Sequence, residues 1–236
     1  ALYNTAVGAY SASAITTADN VVAIGNSAAY TLTTASNNIA IGTNAMKTHL
    51  TGERNMAIGT NAMQDTDAGS NANSSYDNIF IGHASGGGQW GNSDRTRGNV
   101  AVGNYAMDAA LDDARYNVAM GMHALGAVTT GDNNIGIGYQ AGDAMTSTSN
   151  TVLIGYAAGS AINSADSNGT IAIGYQAGVN ITEAVGSVIM GYQAGYNVIT
   201  NDYNVFIGYQ AGFDADSADT NATYNSYVGT FSGKNM

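Results

Sequence analysis

The sequence predicts an all-β fold, a parallel β-solenoid of about thirteen coils, and three observations lead to this prediction. A glycine that closes a short apolar run recurs thirteen times, and seven of the twelve spacings between successive copies are 17 residues. Large and small residues alternate before each glycine, as in a strand with two different faces. The 236 residues include 31 Gly, no Pro, no Cys and only 10% charged residues, unlike an average globular domain.

The repeat is defined by this motif glycine and by the columns of residues around it. The preceding residue is Val, Ile or Met in all thirteen copies, and the fourth residue before the glycine is Asn in nine. The third residue after it is Ala or Ser in every copy, which chance alignment does not produce. The motif glycines are Gly8, Gly25, Gly42, Gly59, Gly82, Gly103, Gly121, Gly138, Gly155, Gly174, Gly191, Gly208 and Gly229.

Each copy is predicted to contain one short strand, a corner and a return. In residues 38–42, Asn-Ile-Ala-Ile-Gly, the β-branched Ile residues favour a strand and the glycine permits a corner. The rest of the copy is rich in Thr, Ser, Asn, Asp and Gly, a composition typical of turns. Helices are not predicted, because apolar runs of four or five residues closed by Gly are too short. We expect stacking to bury a continuous column of Ile and Val; the small residues between them leave room for the opposite wall or another chain.

The domain prediction is a single repeat domain over residues 1–236, expected to be a fragment of a longer chain because residue 1 falls inside a repeat. Two copies carry long loop insertions, at residues 64–77 and 86–98. The insertions do not disturb the repeat on either side, so we expect them to project from the coils as loops.

The charge balance argues against two classes of partner. The net charge is −11, from 17 acidic and 6 basic residues, and the basic residues are scattered. A nucleic-acid surface needs clustered Lys and Arg, so no nucleic-acid partner is predicted. No apolar run approaches the roughly 20 residues of a membrane helix, so no membrane insertion is predicted in this segment.

The motifs resemble those of one known group of proteins. Asn-Ile-Ala-Ile-Gly at 38–42, Asn-Val-Ala-Val-Gly at 99–103 and Ile-Gly-Tyr-Gln-Ala-Gly at 137–142, 173–178 and 207–212 resemble head repeats of trimeric autotransporter adhesins and related repeats of bacteriophage tail fibres. The resemblance implies a left-handed β-roll, a homotrimer, and an extracellular, cell-surface or virion location. It also implies attachment to a surface receptor or glycan. The 17-residue period exceeds that of adhesin heads and implies wider loops.

Two columns are predicted to form structural ladders, in which the same residue stacks once per coil. Stacked Tyr rings stabilise neighbouring coils, although such ladders also bind sugars in some proteins. Asn amides in register form hydrogen-bonded ladders along a turn, and a Gln column follows the Tyr column. The predicted ladder residues are Tyr139, Tyr156, Tyr175, Tyr192, Tyr209, Asn38, Asn55, Asn134 and Asn204.

The second insertion is the candidate receptor contact. It holds the only Trp of the chain, Trp90, together with the Arg pair Arg95 and Arg97. Loops on rigid scaffolds often carry binding residues, and Trp and Arg are enriched in binding hot spots. The alternative is that Trp90 packs on a neighbouring chain and the Arg side chains are solvated.

No catalytic, cofactor or metal site is predicted. The three His occupy different columns, and no Gly-x-Gly pattern precedes a helix that could hold phosphate. The Asp-rich loops at 65–69 and 214–219 leave Ca²⁺ binding open, although neither matches a known calcium loop.

The predicted function is therefore a structural and adhesive segment of an extracellular or virion fibre, not an enzyme. The alternative is a monomeric carbohydrate- or ice-binding β-solenoid. The molar mass in solution would separate the two.

Overall fold

The structure is a computed structural model, which describes residues 1–66, 75–91, 96–200, 202–215 and 223–235. Its contacts divide the chain into two compact units, Ala1–Met120 and Gly121–Met236. Within the described residues the only helical element is a short 3-10 turn at Ala165–Ser167, and no helix is long and apolar enough to cross a membrane.

Each copy of the repeat contributes one three-residue strand that ends directly before its motif glycine. The first unit contains β1 to β7, and the second contains β8 to β13. The strands are β1 Thr5–Val7, β2 Val22–Ile24, β3 Ile39–Ile41, β4 Met56–Ile58, β5 Ile79–Ile81, β6 Val100–Val102, β7 Val118–Met120, β8 Ile135–Ile137, β9 Val152–Ile154, β10 Ile171–Ile173, β11 Val188–Met190, β12 Val205–Ile207 and β13 Ser226–Val228.

Within each unit every strand pairs in parallel with the strand of the next copy. The register joins equivalent positions, so that Ile39 lies beside Met56 and Ile41 beside Ile58. A step of one repeat along the sequence is therefore one step along the stack. The prediction of an all-β solenoid with thirteen parallel strands and a mostly 17-residue period is confirmed.

The motif glycine is required by both backbone conformation and close approach of the next coil. Its φ lies between 120° and 149° in all thirteen copies, a region that residues with a side chain rarely adopt. A Cβ atom on Gly208 would lie 2.6 Å from the carbonyl oxygen of Gly229 in the next coil. Any side chain at this corner would force the two coils apart.

The prediction that the Ile and Val column is buried is wrong. The middle residue of the strand points inward instead, and Ala40 and Ala57 are fully buried. Their neighbours Ile39 and Ile41 are only half-buried and point outward. The alternation predicted from the sequence is present, but the small residues face the core and the large ones face outward.

In four coils the inside has little room for a large strand residue because a large residue at the corner after the motif glycine fills it. Four residues after the glycine, Met46, Met63, Met107 and Leu125 are fully buried, each in a coil whose middle strand residue is Ala. These side chains point inward from a left-handed backbone conformation with φ of 48° to 50°.

Coils with a large strand residue have Gly at that corner. The coil of Phe80 has Gly86 and the coil of Phe206 has Gly212, where a Cβ atom would lie 2.8 Å from Cδ1 of Phe206. In these coils bulk is exchanged between strand and corner, so that a large residue at one position accompanies a small one at the other, as close packing favours.

Candidate interaction surfaces

The outward side chains of the strands form an apolar surface on each unit. We define this strand face as the first and third residues of every strand. They are Val, Ile or Met in β2 to β12, and most are half-buried. Several are more exposed, with relative exposures of 37% for Ile24, 45% for Met120 and 37% for Ile207. Isolated exposed apolar residues are ordinary, but a column repeated on successive coils is a contiguous patch.

The strand face lies within a band that carries no charged side chain. From four residues before the motif glycine to four residues after it, no copy contains Asp, Glu, Lys or Arg. All 17 acidic and 6 basic residues therefore lie in the returns. Depletion of charge is a feature of the buried centre of protein interfaces.

The tyrosine ladder lies directly after the motif glycines of five successive coils in the second unit. Neighbouring ring centroids are 5.1 to 5.3 Å apart, and the ring planes differ by 6° to 18°. Each ring is therefore stacked on the next, while 36% to 45% of each residue stays exposed. The members are Tyr139, Tyr156, Tyr175, Tyr192 and Tyr209.

A glutamine ladder runs beside three of these rings. Nε2 of Gln193 donates to Oε1 of Gln176 at 3.0 Å, and Nε2 of Gln210 donates to Oε1 of Gln193 at 2.9 Å. Gln140 instead donates to Oδ2 of Asp143 at 3.3 Å. Partial burial raises the pKa of Asp143, and the nearby His123 and the Gln140 amide oppose that rise.

In the first unit the Asn column forms a buried ladder of hydrogen bonds. The side-chain oxygen of Asn38 accepts the backbone N–H of Asn55 at 2.8 Å, and Asn55 does the same for Asn78 at 3.1 Å. The series continues through Asn99 to Asn117, each at 3.0 Å. The Asn38 amide donates across its own coil to the carbonyl oxygen of Gly52. These hydrogen bonds therefore hold each coil to the next, and the Asn38 bond holds the return of its coil to the strand.

In the second unit the ladder is mixed. Asn134 accepts the backbone N–H of Thr151 at 3.1 Å, Ser187 accepts that of Asn204 at 3.1 Å, and Asn204 accepts that of Asn225 at 2.8 Å. Hydroxyl and amide oxygens serve equally because the site needs one acceptor in each coil. These buried residues are structural and offer no surface to a ligand.

Trp90 lies in the core of its own chain. It is 2% exposed, its ring centroid is 5.6 Å from that of Phe80, and its Nε1 donates to the carbonyl oxygen of Gly86 at 3.0 Å. A side chain buried in this position offers no surface to a receptor. It packs within its own chain.

Arg97 belongs to an arginine–tyrosine stack formed by Arg54, Tyr76, Arg97 and Tyr116. Its guanidinium lies 5.5 Å from the ring centroids of both Tyr76 and Tyr116, and it donates to the Tyr76 hydroxyl. That hydrogen bond raises the pKa of Arg97. Its Nε is buried with no hydrogen-bond partner among the described residues. Arg95, the other member of the pair, lies outside the described residues.

Arg54, at one end of this stack, is paired with a carboxylate. Its Nε lies 2.6 Å from Oδ1 of Asp77, and this hydrogen bond lowers the pKa of Asp77. Both side chains are about half exposed, so solvent screening keeps the pair's contribution to stability small.

The remaining titratable residues do not converge. His49 is buried and bonded to Thr66 and to the carbonyl oxygen of Gly52, whereas His83 packs edge-on against Tyr105. Among the residues that the structure describes, no group of three His, Asp or Glu could hold a metal ion. Asp67, Asp216 and Asp219 of the two Asp-rich loops lie outside those residues.

Comparisons of the chain with known protein families, with curated proteins and with solved structures find no match. The resemblance to adhesin and fibre repeats therefore stands on the motifs alone.

Sequence reasoning missed the strand face. The signal was available, since the charge-free band can be read directly from the aligned copies. Alternation of large and small residues alone does not reveal it, because the pattern does not say which side of the strand faces the core.

Proposed function

We propose that this chain is a structural and adhesive segment of an extracellular or virion fibre, that it assembles as a homotrimer, and that it attaches to a surface receptor or glycan. The observation that carries the proposal is the apolar strand face within a charge-free band. The number of chains, and the extracellular, cell-surface or virion location, come from the resemblance of the repeat motifs.

The strand face supports self-association because it repeats on successive coils of both units. Burying apolar surface contributes about 25 cal/mol per Å². A patch that extends over many coils gains this contribution many times. A second copy has the same columns with the same coil spacing. The outward Ile and Val side chains of the two copies can therefore pack together, one coil against one coil.

The distribution of charge supports the same conclusion. Two copies that each carry a net charge of −11 repel each other. The strand face allows close approach without burying any Asp or Glu, whereas contact through the returns would bring carboxylates together. Desolvating unpaired carboxylates is costly, so the returns are poor candidates for the contact between copies.

The experiment is a measurement of molar mass by light scattering on the purified chain and on two matched variants. The first variant, Ile24→Lys/Ile58→Lys, places charges on the strand face at outward positions of nonadjacent coils. The second, Thr34→Lys/Leu50→Lys, places the same number of charges on exposed positions of the returns. We expect a trimer for the chain and the second variant, and a folded monomer for the first.

Circular dichroism of each sample establishes that the β-solenoid is retained. A monomeric wild-type chain would overturn the homotrimer and favour the monomeric carbohydrate- or ice-binding alternative. A trimer that survives charges on the strand face would show that the copies meet through another surface.

A further inference from the structure

We propose that the tyrosine ladder and the glutamine ladder together form a binding strip for a neutral, extended, β-1,4-linked polysaccharide, which runs parallel to the direction of coil stacking. The inference deepens the adhesive part of the proposed function and rests on it, because it names the chemical class of the ligand. It does not depend on the homotrimer.

The geometry of the tyrosine ladder determines which part of each ring a ligand reaches. Interior rings are stacked on both sides at 5.1 to 5.3 Å, so their faces are covered by their neighbours. About two fifths of each residue is exposed, and with the ring faces stacked a ligand approaches the ring edge and the hydroxyl group. A sugar ring cannot lie flat on such a tyrosine. It can exchange hydrogen bonds with the hydroxyl, which both donates and accepts.

The glutamine ladder adds a second row of neutral hydrogen-bonding groups. Gln193 uses one N–H toward Gln176 and one oxygen lone pair toward Gln210. A carboxamide has two N–H donors and two lone pairs, so one of each is left for a ligand. The ladder bonds also hold the amides in one orientation, which lowers the entropy cost of binding.

The chemistry of the strip favours a neutral ligand rich in hydroxyl groups. No charged side chain lies within four residues of the motif glycine in these copies, so the two ladders themselves contain no cation to hold a carboxylate or sulfate. Sugar hydroxyls match tyrosine hydroxyls and glutamine amides in donating and accepting capacity. The strip therefore distinguishes neutral from acidic polysaccharides.

The spacing of the strip selects the shape of the ligand. Each coil adds one rung, which is its Tyr and Gln pair, and successive rungs are about one strand spacing apart, roughly 4.8 Å. A β-1,4-linked hexopyranose chain advances by a comparable length per sugar. Successive sugars then meet successive rungs. An extended peptide advances only about 3.3 Å per residue and loses register, and an α-1,4-linked glucan coils away from a straight strip.

The test measures binding of the full chain to cellohexaose and chitohexaose, with maltohexaose as the coiled α-linked control, by isothermal titration calorimetry. We expect binding to at least one β-1,4-linked hexasaccharide, with maltohexaose and the corresponding disaccharide each binding at least roughly tenfold more weakly. The disaccharide contacts fewer rungs and loses the gain from simultaneous contacts.

Tyr→Phe substitutions test the hydroxyl row while keeping the stacked rings. The variant Tyr156→Phe/Tyr175→Phe/Tyr192→Phe removes three hydroxyls, and we expect roughly tenfold or greater loss of affinity for the bound hexasaccharide. The matched control is Tyr203→Phe/Tyr224→Phe, a pair stacked at 5.2 Å and 9° in a different column. We expect this control to bind like the unmodified chain.

Three results would overturn the inference: no binding of either β-linked hexasaccharide, unchanged binding by the triple variant, or equal loss in the control. The molar mass of the same samples separates this inference from the proposed function. A trimer that binds no β-linked hexasaccharide refutes the polysaccharide site alone, whereas a monomer that binds one refutes the homotrimer alone.

Discussion

At the scale of single residues, the motif glycine combines two requirements that a side chain would violate. Its φ lies in a region that favours glycine, and the backbone of the next coil lies where a Cβ atom would project. The first requirement is local, whereas the second exists only because coils stack. Their combination explains why this position is invariant among the thirteen copies while the strand residues before it vary.

Substitution of two glycines of this column separates the two requirements. Gly208→Ala imposes both the strained φ of 137° and a contact at 2.6 Å with the carbonyl oxygen of Gly229. We expect a loss of about 2–4 kcal/mol in the free energy of unfolding, measured by denaturant titration. Gly229→Ala is the control, because its φ is 120° but nothing described lies within 4 Å of the added Cβ atom.

We expect the control to lose only the part of the stability that comes from backbone strain. Equal losses in the two variants would show that φ alone selects glycine, and that the neighbouring coil adjusts at little cost.

Glycine and asparagine positions were largely predictable from the sequence because each satisfies a requirement of the backbone that recurs in most copies. A corner requires glycine, and each turn requires one hydrogen-bond acceptor, which Asn38 or Asn134 supplies. The environment of Trp90 was not predictable in this way. It occurs once, so no column reveals that Phe80 and Gly86 form its surroundings.

At the scale of the coil, strand and corner share one internal volume. Ala57 is paired with Met63 in one coil, and Phe206 with Gly212 in another. This sharing explains how strands of such different sequences occupy equivalent positions. It also explains why alternation alone misassigned the faces, since a strand pattern does not reveal which side the return segment has already filled.

A double-mutant cycle tests the sharing of volume. Phe206→Ala leaves a cavity, and we expect a loss of about 3–5 kcal/mol in the free energy of unfolding. Gly212→Met alone overpacks the coil against the Phe206 ring, at a cost of about 1–3 kcal/mol. The double variant recreates the Ala and Met pairing of the coil that contains Ala57, so we expect it to be clearly more stable than the sum of the single losses predicts.

The control for this cycle combines Phe206→Ala with Gly142→Met, a corner of the same column several coils away. Distant substitutions add independently, so we expect no coupling in the control. Additive losses in both pairs, measured by denaturant titration, would show that strand and corner do not compensate each other.

At the scale of the whole molecule, the sequence keeps charged residues out of the strand face. The returns hold every Asp, Glu, Lys and Arg, and the band around the motif glycine holds none. The net charge of −11 therefore lies in the returns, where like-charge repulsion opposes nonspecific association. Repulsion between the charged returns of two copies opposes contact in most orientations. Contact is favoured only where the two uncharged bands face each other, so an apolar strand face does not lead to nonspecific association.

This separation of charge predicts how salt affects self-association. Repulsion between copies acts over about 30 Å at 0.01 M salt and about 8 Å at 0.15 M, whereas contact through the strand face involves no charged group. We therefore expect the association constant, measured by sedimentation equilibrium, to rise several-fold over this range. Near the pI of about 4.2 the repulsion disappears, so the same series at that pH should show little dependence on salt. Association that weakens as salt is added at neutral pH would instead show that ion pairs hold the copies together, and would rule out the strand face as their contact.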